Sequence, residues 1–283
     1  MAGHRDLRGT AFRALLLGSL GLSVLVLVVL VVDVAQDGAG KLSLDFLTNP
    51  PSQLATRAGI GPALAGTLWL MAVCAIFIVP IGVATAIYLE EYADRSKWWN
   101  RLIEVNIQNL AAVPSIVYGI LGLAFIVRGP LALGRVVLAG ALTLGLLVLP
   151  VVIIASREAI RAVPSSIREG SLALGATQWQ TIWRQVLPAS VPGIATGVIL
   201  ALSRAIGETA PLIVIGAATY IAVNPSGLNS AFTAMPIQIF NWISQPQTDF
   251  KLKAAAGILV LLGLLMLMNS VAIWLRSRYE RKW

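Results

Sequence analysis

The sequence predicts an all-α integral membrane protein with six transmembrane helices, and three observations carry that prediction. Of 283 residues, 57% are hydrophobic and 12% charged, with a mean hydropathy of +0.82. An ordinary soluble domain is about 25% charged. Six apolar stretches reach the roughly 20 residues that a helix needs to cross the hydrocarbon core. The basic residues sit in short clusters between those stretches. The net charge of +8 therefore reads as a topology signal and not as a nucleic-acid footprint.

The six stretches cover approximately residues 14–32, 63–89, 107–127, 131–155, 191–220 and 254–275. Their Val and Ile content would suit strands. Run length decides for helices, because buried strands are about four to eight residues long. The polar–apolar alternation of a membrane barrel is also missing. With the N-terminus in the cytoplasm, 14 Lys and Arg fall on the inside and 6 on the outside, and Arg204 lies within a span. The positive-inside rule then places both termini in the cytoplasm of a prokaryotic cell membrane.

The first stretch has Arg residues before an apolar run, as a signal peptide does. The run is long, and Asp33 occupies the position where cleavage after Ala35 would need a small residue. We read it as an uncleaved anchor. The external segment 34–60 is turn-rich at Asn49-Pro50-Pro51, and a tight turn is expected at Arg128-Gly129-Pro130. No internal repeat is visible, which disfavours carriers built from inverted halves. The resulting division is 1–60 for tail, anchor and external loop, 61–275 for a core of five spans, and 276–283 for a basic tail.

Several chemistries are excluded by count. One cysteine, Cys74, gives no disulfide framework, and one histidine, His4, gives no histidine-rich metal site. Cys74 lies between apolar residues and reads as a small core residue. No metal role is assigned to His4 or to any other residue. There is no phosphate-binding G-x-x-x-x-G-K-[ST]. There is also no H-E-x-x-H, no pair of intramembrane aspartates and no Ser–His couple, so a membrane-embedded enzyme is disfavoured.

Residues 158–188 are too charged to span. Pro164-Ser165-Ser166 opens a helix, with Glu169 placed as capping-box partner of Ser166. Gly175 stops it, and a second short helix through Trp179 and Ile182 is expected to end at Pro188. An amphipathic surface loop would fit this periodicity equally. The spacing adds more: Glu169-Gly170-Ser171, then three residues (Leu172, Ala173, Leu174) with Gly175 following, then nine residues and Gln185-Val186-Leu187-Pro188. This resembles the EAA loop of ABC-importer permeases, with Gly170 and Ser171 in place of two alanines and Gln185 in place of an isoleucine. The resemblance implies that Glu169 through Gly175 form a coupling helix docking on an ATPase subunit.

The fifth span contains Arg204 and Glu208, and an ionised residue at the centre of a membrane helix costs about 2.5–3.5 kcal/mol on insertion scales. Four residues apart, they share one helix face with Gly193, Gly197 and Ala201. Small residues admit a neighbouring helix. Two readings stay open here: a self-neutralising pair that locks helices, or a polar constriction on a solute route. Arg offers planar donors to an oxyanion. Glu could accept a proton from hydrogen phosphate.

The run Ser203-Arg204-Ala205-Ile206-Gly207-Glu208-Thr209-Ala210-Pro211 resembles the R-A-x-G-E-T-x-P signature of phosphate ABC-importer permeases. Ala112-Val113-Pro114-Ser115-Ile116-Val117-Tyr118-Gly119 resembles the same family. The similarity covers roughly 60–275, and the single short N-terminal anchor looks like the PstA type rather than its PstC partner. It implies a type I ABC-importer permease fold with a cytoplasmic coupling helix, and a substrate pathway past Arg204, Glu208 and Thr209. Further implied are a second, PstC-like permease, two ATPase subunits holding ATP and Mg, an extracytoplasmic phosphate-binding protein, and no cofactor or catalysis on this chain. Sulfate or molybdate import is the alternative, with a stand-alone carrier using Glu208 behind it.

Three further segments have readings of their own. Ser115 and Tyr118 are the polar candidates for lining in the third span, against a packing or kink role for the Pro and Gly there. The external stretch 231–245 suits either an interfacial helix anchored by Trp242 or a contact with the binding protein. Glu90-Glu91 and the basic residues from Arg95 to Arg101 read as a solvated charged connector.

Overall fold

The computed structural model describes residues 7–94, 96–217 and 220–279. His4, Arg95, Arg281 and Lys282, which enter the sequence reading above, lie outside them. Among the described residues the secondary structure is helical, with five helices long and apolar enough to cross a membrane and a sixth span if one bent pair is counted. The chain is a multi-pass membrane protein.

Helix α1 (Leu7–Gly38) stands at the edge. It touches α12 (Thr248–Tyr279) near its end, where a Cβ on Gly38 would sit 2.6 Å from the backbone of Ala255. A short α2 (Leu44–Thr48), capped by the Ser43 hydroxyl accepting from the Phe46 N–H, follows. The centre is α3 (Gly61–Ile87) packed on α6 (Val137–Arg161), with α9 (Leu187–Gly207) packed mainly on α6 and also touching α3. Leu70, Cys74, Ile78, Leu144, Val148 and Val152 fill this seam.

Lipid is as apolar as these side chains, so close packing and not hydrophobic expulsion must hold the helices together. Small residues supply it. A Cβ on Gly82 would stand 2.7 Å from Val152, and one on Gly193 would stand 2.7 Å from Ala159. Gly193 and Gly197 thus face α6 of the same chain, while Arg204 further along α9 is exposed.

Three spans differ from the sequence reading. The third does not run straight through 107–127: α4 (Trp98–Ala111) and α5 (Ser115–Leu121), extended to Val127, meet at 107°. Pro114 causes this, because it has no N–H to donate and keeps Val113 out of the helical region. The fourth span starts at Val137, not 131, since Ala132 and Gly134 take positive φ of 44° and 74°. The fifth is not helical to 220. It stops at Gly207, resumes for α10 (Ala210–Val214) and turns at Gly216 with φ +82°. Pro211 cannot donate to the Gly207 carbonyl, and Gly207 is itself a poor helix former.

Helix α11 (Met235–Ile243) forms within the expected 231–245 stretch. Its Trp242 is no interfacial anchor, however. It is 2% exposed and lies 5.8 Å from the Phe46 ring, while the Met235 N–H donates to the Thr67 hydroxyl of α3. An aromatic partner from α2, far away in sequence, packs against the ring, so the anchor alternative lacks its exposed Trp.

Candidate functional site

The polar residues singled out by the sequence gather at the break after α9 and in a knob of two short helices. At the break, Arg204 is in the last turn of α9 and Glu208 is the residue that ends it, with φ −79° and ψ 104°. Glu208 is therefore not on the helix face that the four-residue spacing implies. Its side chain nevertheless swings back, and Arg204 Nε donates to Glu208 Oε1 at 3.5 Å. That is the outer limit of a hydrogen bond. The Arg204 side chain is 49% exposed and Glu208 19%. Thr209 sits beside them with its hydroxyl 3.5 Å from the Gly207 carbonyl. The preceding Ser203 donates to Asn269 of α12 at 3.1 Å, which fixes the orientation of this turn.

Helix α5 reaches the same region. A Cβ on Gly119 would lie 2.7 Å from Pro211 Cα, so α5 and α10 are in direct backbone contact. Ser115, at the first turn of α5, is half-buried. Tyr118 is buried, and its hydroxyl donates to the Leu110 carbonyl at 2.8 Å. That hydroxyl spans the 107° bend between α4 and α5.

A broken helix in a membrane protein exposes backbone groups that must be satisfied by protein or by a water-filled cavity. The chain here presents one guanidinium, one carboxylate and one hydroxyl beside such a break. The guanidinium is held by a single long contact, so most of its five donors remain available to an anionic solute.

The knob consists of α7 (Ser165–Ala173) and α8 (Gln178–Thr181). Gly175 takes φ +84°, where an L side chain is strained, and the Gly175 and Ala176 N–H groups close the helix end on Leu172 and Ser171. Residues Glu169, Gly170, Leu172, Ala173, Leu174 and Gly175 are exposed, Leu174 to 90%. Ser171 alone turns inward, its hydroxyl 2.9 Å from that of Thr181.

Two details differ from expectation. The capping box is not Ser166–Glu169. Pro164 precedes α7 without a side-chain cap, and Thr177 with Gln180 forms the box at α8 instead. Nor does Pro188 end the second helix. It falls in the first turn of α9, where its missing N–H is harmless, and the helix runs on from Gln178 to Gly207.

The largest departure concerns Glu90 and Glu91. They are not a solvated connector. A π-helical turn, Tyr88–Tyr92, extends α3, and the side chains of both glutamates are over 90% buried. Glu90 receives Arg161 through two hydrogen bonds of 2.9 and 3.0 Å, with Arg157 Nε at 3.6 Å. Glu91 receives Arg168 at 3.0 and 2.8 Å. Arg157 also donates to Glu104 of α4 at 2.8 Å. Two carboxylates closing a long apolar run, with Arg157, Arg161 and Arg168 following a later apolar run, are the sequence signal for this cluster.

The model of the "Binding-protein-dependent transport system inner membrane component" family matches residues 78–282. The chain is 31% identical over 258 residues to the probable ABC transporter permease protein YqgI of Bacillus subtilis, covering 87% of each. It is 34% identical over 232 residues to the phosphate transport system permease protein PstA 1 of Mycobacterium tuberculosis, covering 82% of this chain and 74% of that one. Among solved structures, a chain of a bacterial alginate ABC transporter, crystallised with its alginate-pentasaccharide-bound periplasmic protein, matches at a TM-score of 0.65. The two share 17% identity over 95% of this chain and 96% of that one, so this likeness speaks for the fold alone. With a matching family model over most of its length and the helical architecture above, the chain belongs to the binding-protein-dependent inner-membrane components, the permease subunits of ABC importers.

Proposed function

We propose that this permease carries inorganic phosphate into the cytoplasm, with Arg204 and Glu208 at the narrowest polar point of the route and Thr209 and Ser115 beside them. The observation that supports it best is the half-exposed Arg204 guanidinium at a helix break, 3.5 Å from Glu208. A phosphate oxygen pair matches the planar donors of arginine. A neighbouring carboxylate repels a fully charged oxyanion and favours one that still carries a proton. Hydrogen phosphate has that proton to share and sulfate at neutral pH does not. Similarity to PstA permeases points the same way.

A second, PstC-like permease would supply the other half of the route. Two ATPase subunits would bind ATP and Mg and meet the exposed 169–175 segment, and an extracytoplasmic phosphate-binding protein would deliver the solute. Both termini then lie in the cytoplasm. ATP binding brings the ATPases together, the knob passes that movement to the spans, and the route opens outward. Hydrolysis resets it inward.

The test is ATP-dependent uptake in proteoliposomes holding the full complex and binding protein. Arg204→Gln is expected to lower phosphate uptake at least a hundredfold while the complex still assembles. ATP-dependent uptake of sulfate in preference to phosphate would move the assignment to another oxyanion. Uptake without ATP would point to a carrier.

A further inference from the structure

We infer that Glu91 is a positioning residue that ties the exposed 169–175 segment to α3, so that movement of that segment reaches α3 as well as α9. This rests on reading 169–175 as the ATPase-facing segment. The link to α9 is covalent, because the helix that begins at Gln178 continues to Gly207. The link to α3 cannot be covalent in that sense, because Glu91 and Arg168 are 77 residues apart.

Side chains make it instead. The Glu91 carboxylate accepts from Arg168 Nε and Nη2 at 3.0 and 2.8 Å, just before the exposed segment. The Glu91 main-chain carbonyl accepts from the Gln178 side-chain amide, just after it. One residue at the end of α3 thus holds the segment from both flanks. Arg168 is further fixed by donating to the carbonyls of Val163 and Ile160, at 2.6 and 2.8 Å, at the end of α6.

Stiffness is what a transmitting contact needs. Charge-assisted hydrogen bonds to a guanidinium are short and directional, and the Glu91 side chain is only 9% exposed. The π-helical turn has a role in this. It places consecutive glutamates against two different elements, Glu90 on Arg157 and Arg161 of α6 and Glu91 on Arg168 of α7. Such turns recur where a helix must serve a site. Glu90 is therefore the internal control, a neighbouring carboxylate whose arginine partners Arg157 and Arg161 belong to α6 where that of Glu91, Arg168, belongs to α7.

The experiment uses the complete reconstituted complex with inorganic phosphate as the probe, reading ATP hydrolysed per phosphate imported. Glu91→Gln should keep assembly and hydrolysis within twofold and raise the ratio about tenfold, whereas Glu90→Gln should leave the ratio unchanged. Should Glu91→Gln fail to assemble, Gln178→Ala on the exposed surface carries the test, with a two- to threefold rise expected.

Parallel loss of hydrolysis and uptake, an unchanged ratio, or an equal rise in Glu90→Gln would overturn the proposal. A second readout does not depend on the solute. Spin labels at Ile81 of α3 and Leu200 of α9, both exposed, should keep their separation on ATP binding in the wild type and in Glu90→Gln, because both helices follow the segment, and should change it in Glu91→Gln, where only α9 follows. If the wild type imports no phosphate, the phosphate reading fails by itself, and the label distances alone decide the role of Glu91.

Discussion

The chain contains two arginine–glutamate arrangements of opposite character. At the C-terminal end of α3, Glu90 and Glu91 are buried, each takes a two-nitrogen grip from an arginine, and the contacts are 2.8–3.0 Å. At the end of α9, Arg204 and Glu208 make one contact of 3.5 Å, and the arginine side chain is half-exposed. Both are called ion pairs by distance. The first makes short, paired contacts and holds elements together. The second leaves donors open beside a break in a membrane helix, where a charged group is costly unless it has a use. Counting donors already engaged distinguishes a pair that builds the protein from one that can meet a solute.

The same substitution at the two sites should expose the difference. Arg168→Met leaves the Glu91 carboxylate buried with its guanidinium partner gone and takes donors from the Ile160 and Val163 carbonyls. Breaking a buried pair from one side costs about 3–5 kcal/mol. A large fall in the unfolding midpoint, or loss of folded protein from the membrane, is expected. Arg204→Met removes one long contact and should move the midpoint little while still abolishing uptake. Equal destabilisation at both sites, read by thermal unfolding of the detergent-solubilised chain, would erase the distinction.

A smaller effect is expected at Glu208. Glu208→Gln keeps an acceptor for Arg204 but removes the charge and the proton-accepting group. Phosphate uptake should fall about tenfold, and the preference for phosphate over sulfate should narrow, with no change in unfolding. Unchanged uptake and selectivity would return this pair to the structural class occupied by Glu90 and Glu91.

How much of this was legible follows from how far apart the partners lie. Run length and basic clusters located the spans because those signals are local. Gly175 was readable as a helix stop, and it takes the positive φ that such a stop uses. The breaks at Pro114 and Pro211 were present as residues, but hydropathy continued across them and hid the change of direction. Glu90 and Glu91 were misread because their arginine partners are 71 and 77 residues away. The anchor alternative for Trp242 fails for the same reason, since the Phe46 ring packed against it lies about two hundred residues earlier in the chain. At the candidate route, residue types identified Arg204 and Glu208. Their geometry followed from the helix ending one residue before Glu208, which a four-residue spacing cannot reveal.

Tyr118 provides the finest test of this distinction, because its environment combines features of both sites. It lies on α5, the helix whose Gly119 meets Pro211 next to the candidate route. Its hydroxyl is nevertheless engaged, donating to the Leu110 carbonyl across the bend at 2.8 Å. An engaged donor belongs with the structural arrangement. Tyr118→Phe keeps the ring and deletes only that hydrogen bond, whose net worth is about 1 kcal/mol. A slight drop in unfolding midpoint is expected, with phosphate uptake within twofold of the wild type. If uptake falls tenfold while stability holds, the hydroxyl leaves Leu110 during the cycle to meet the solute, and saturation in one conformation no longer identifies a residue as structural.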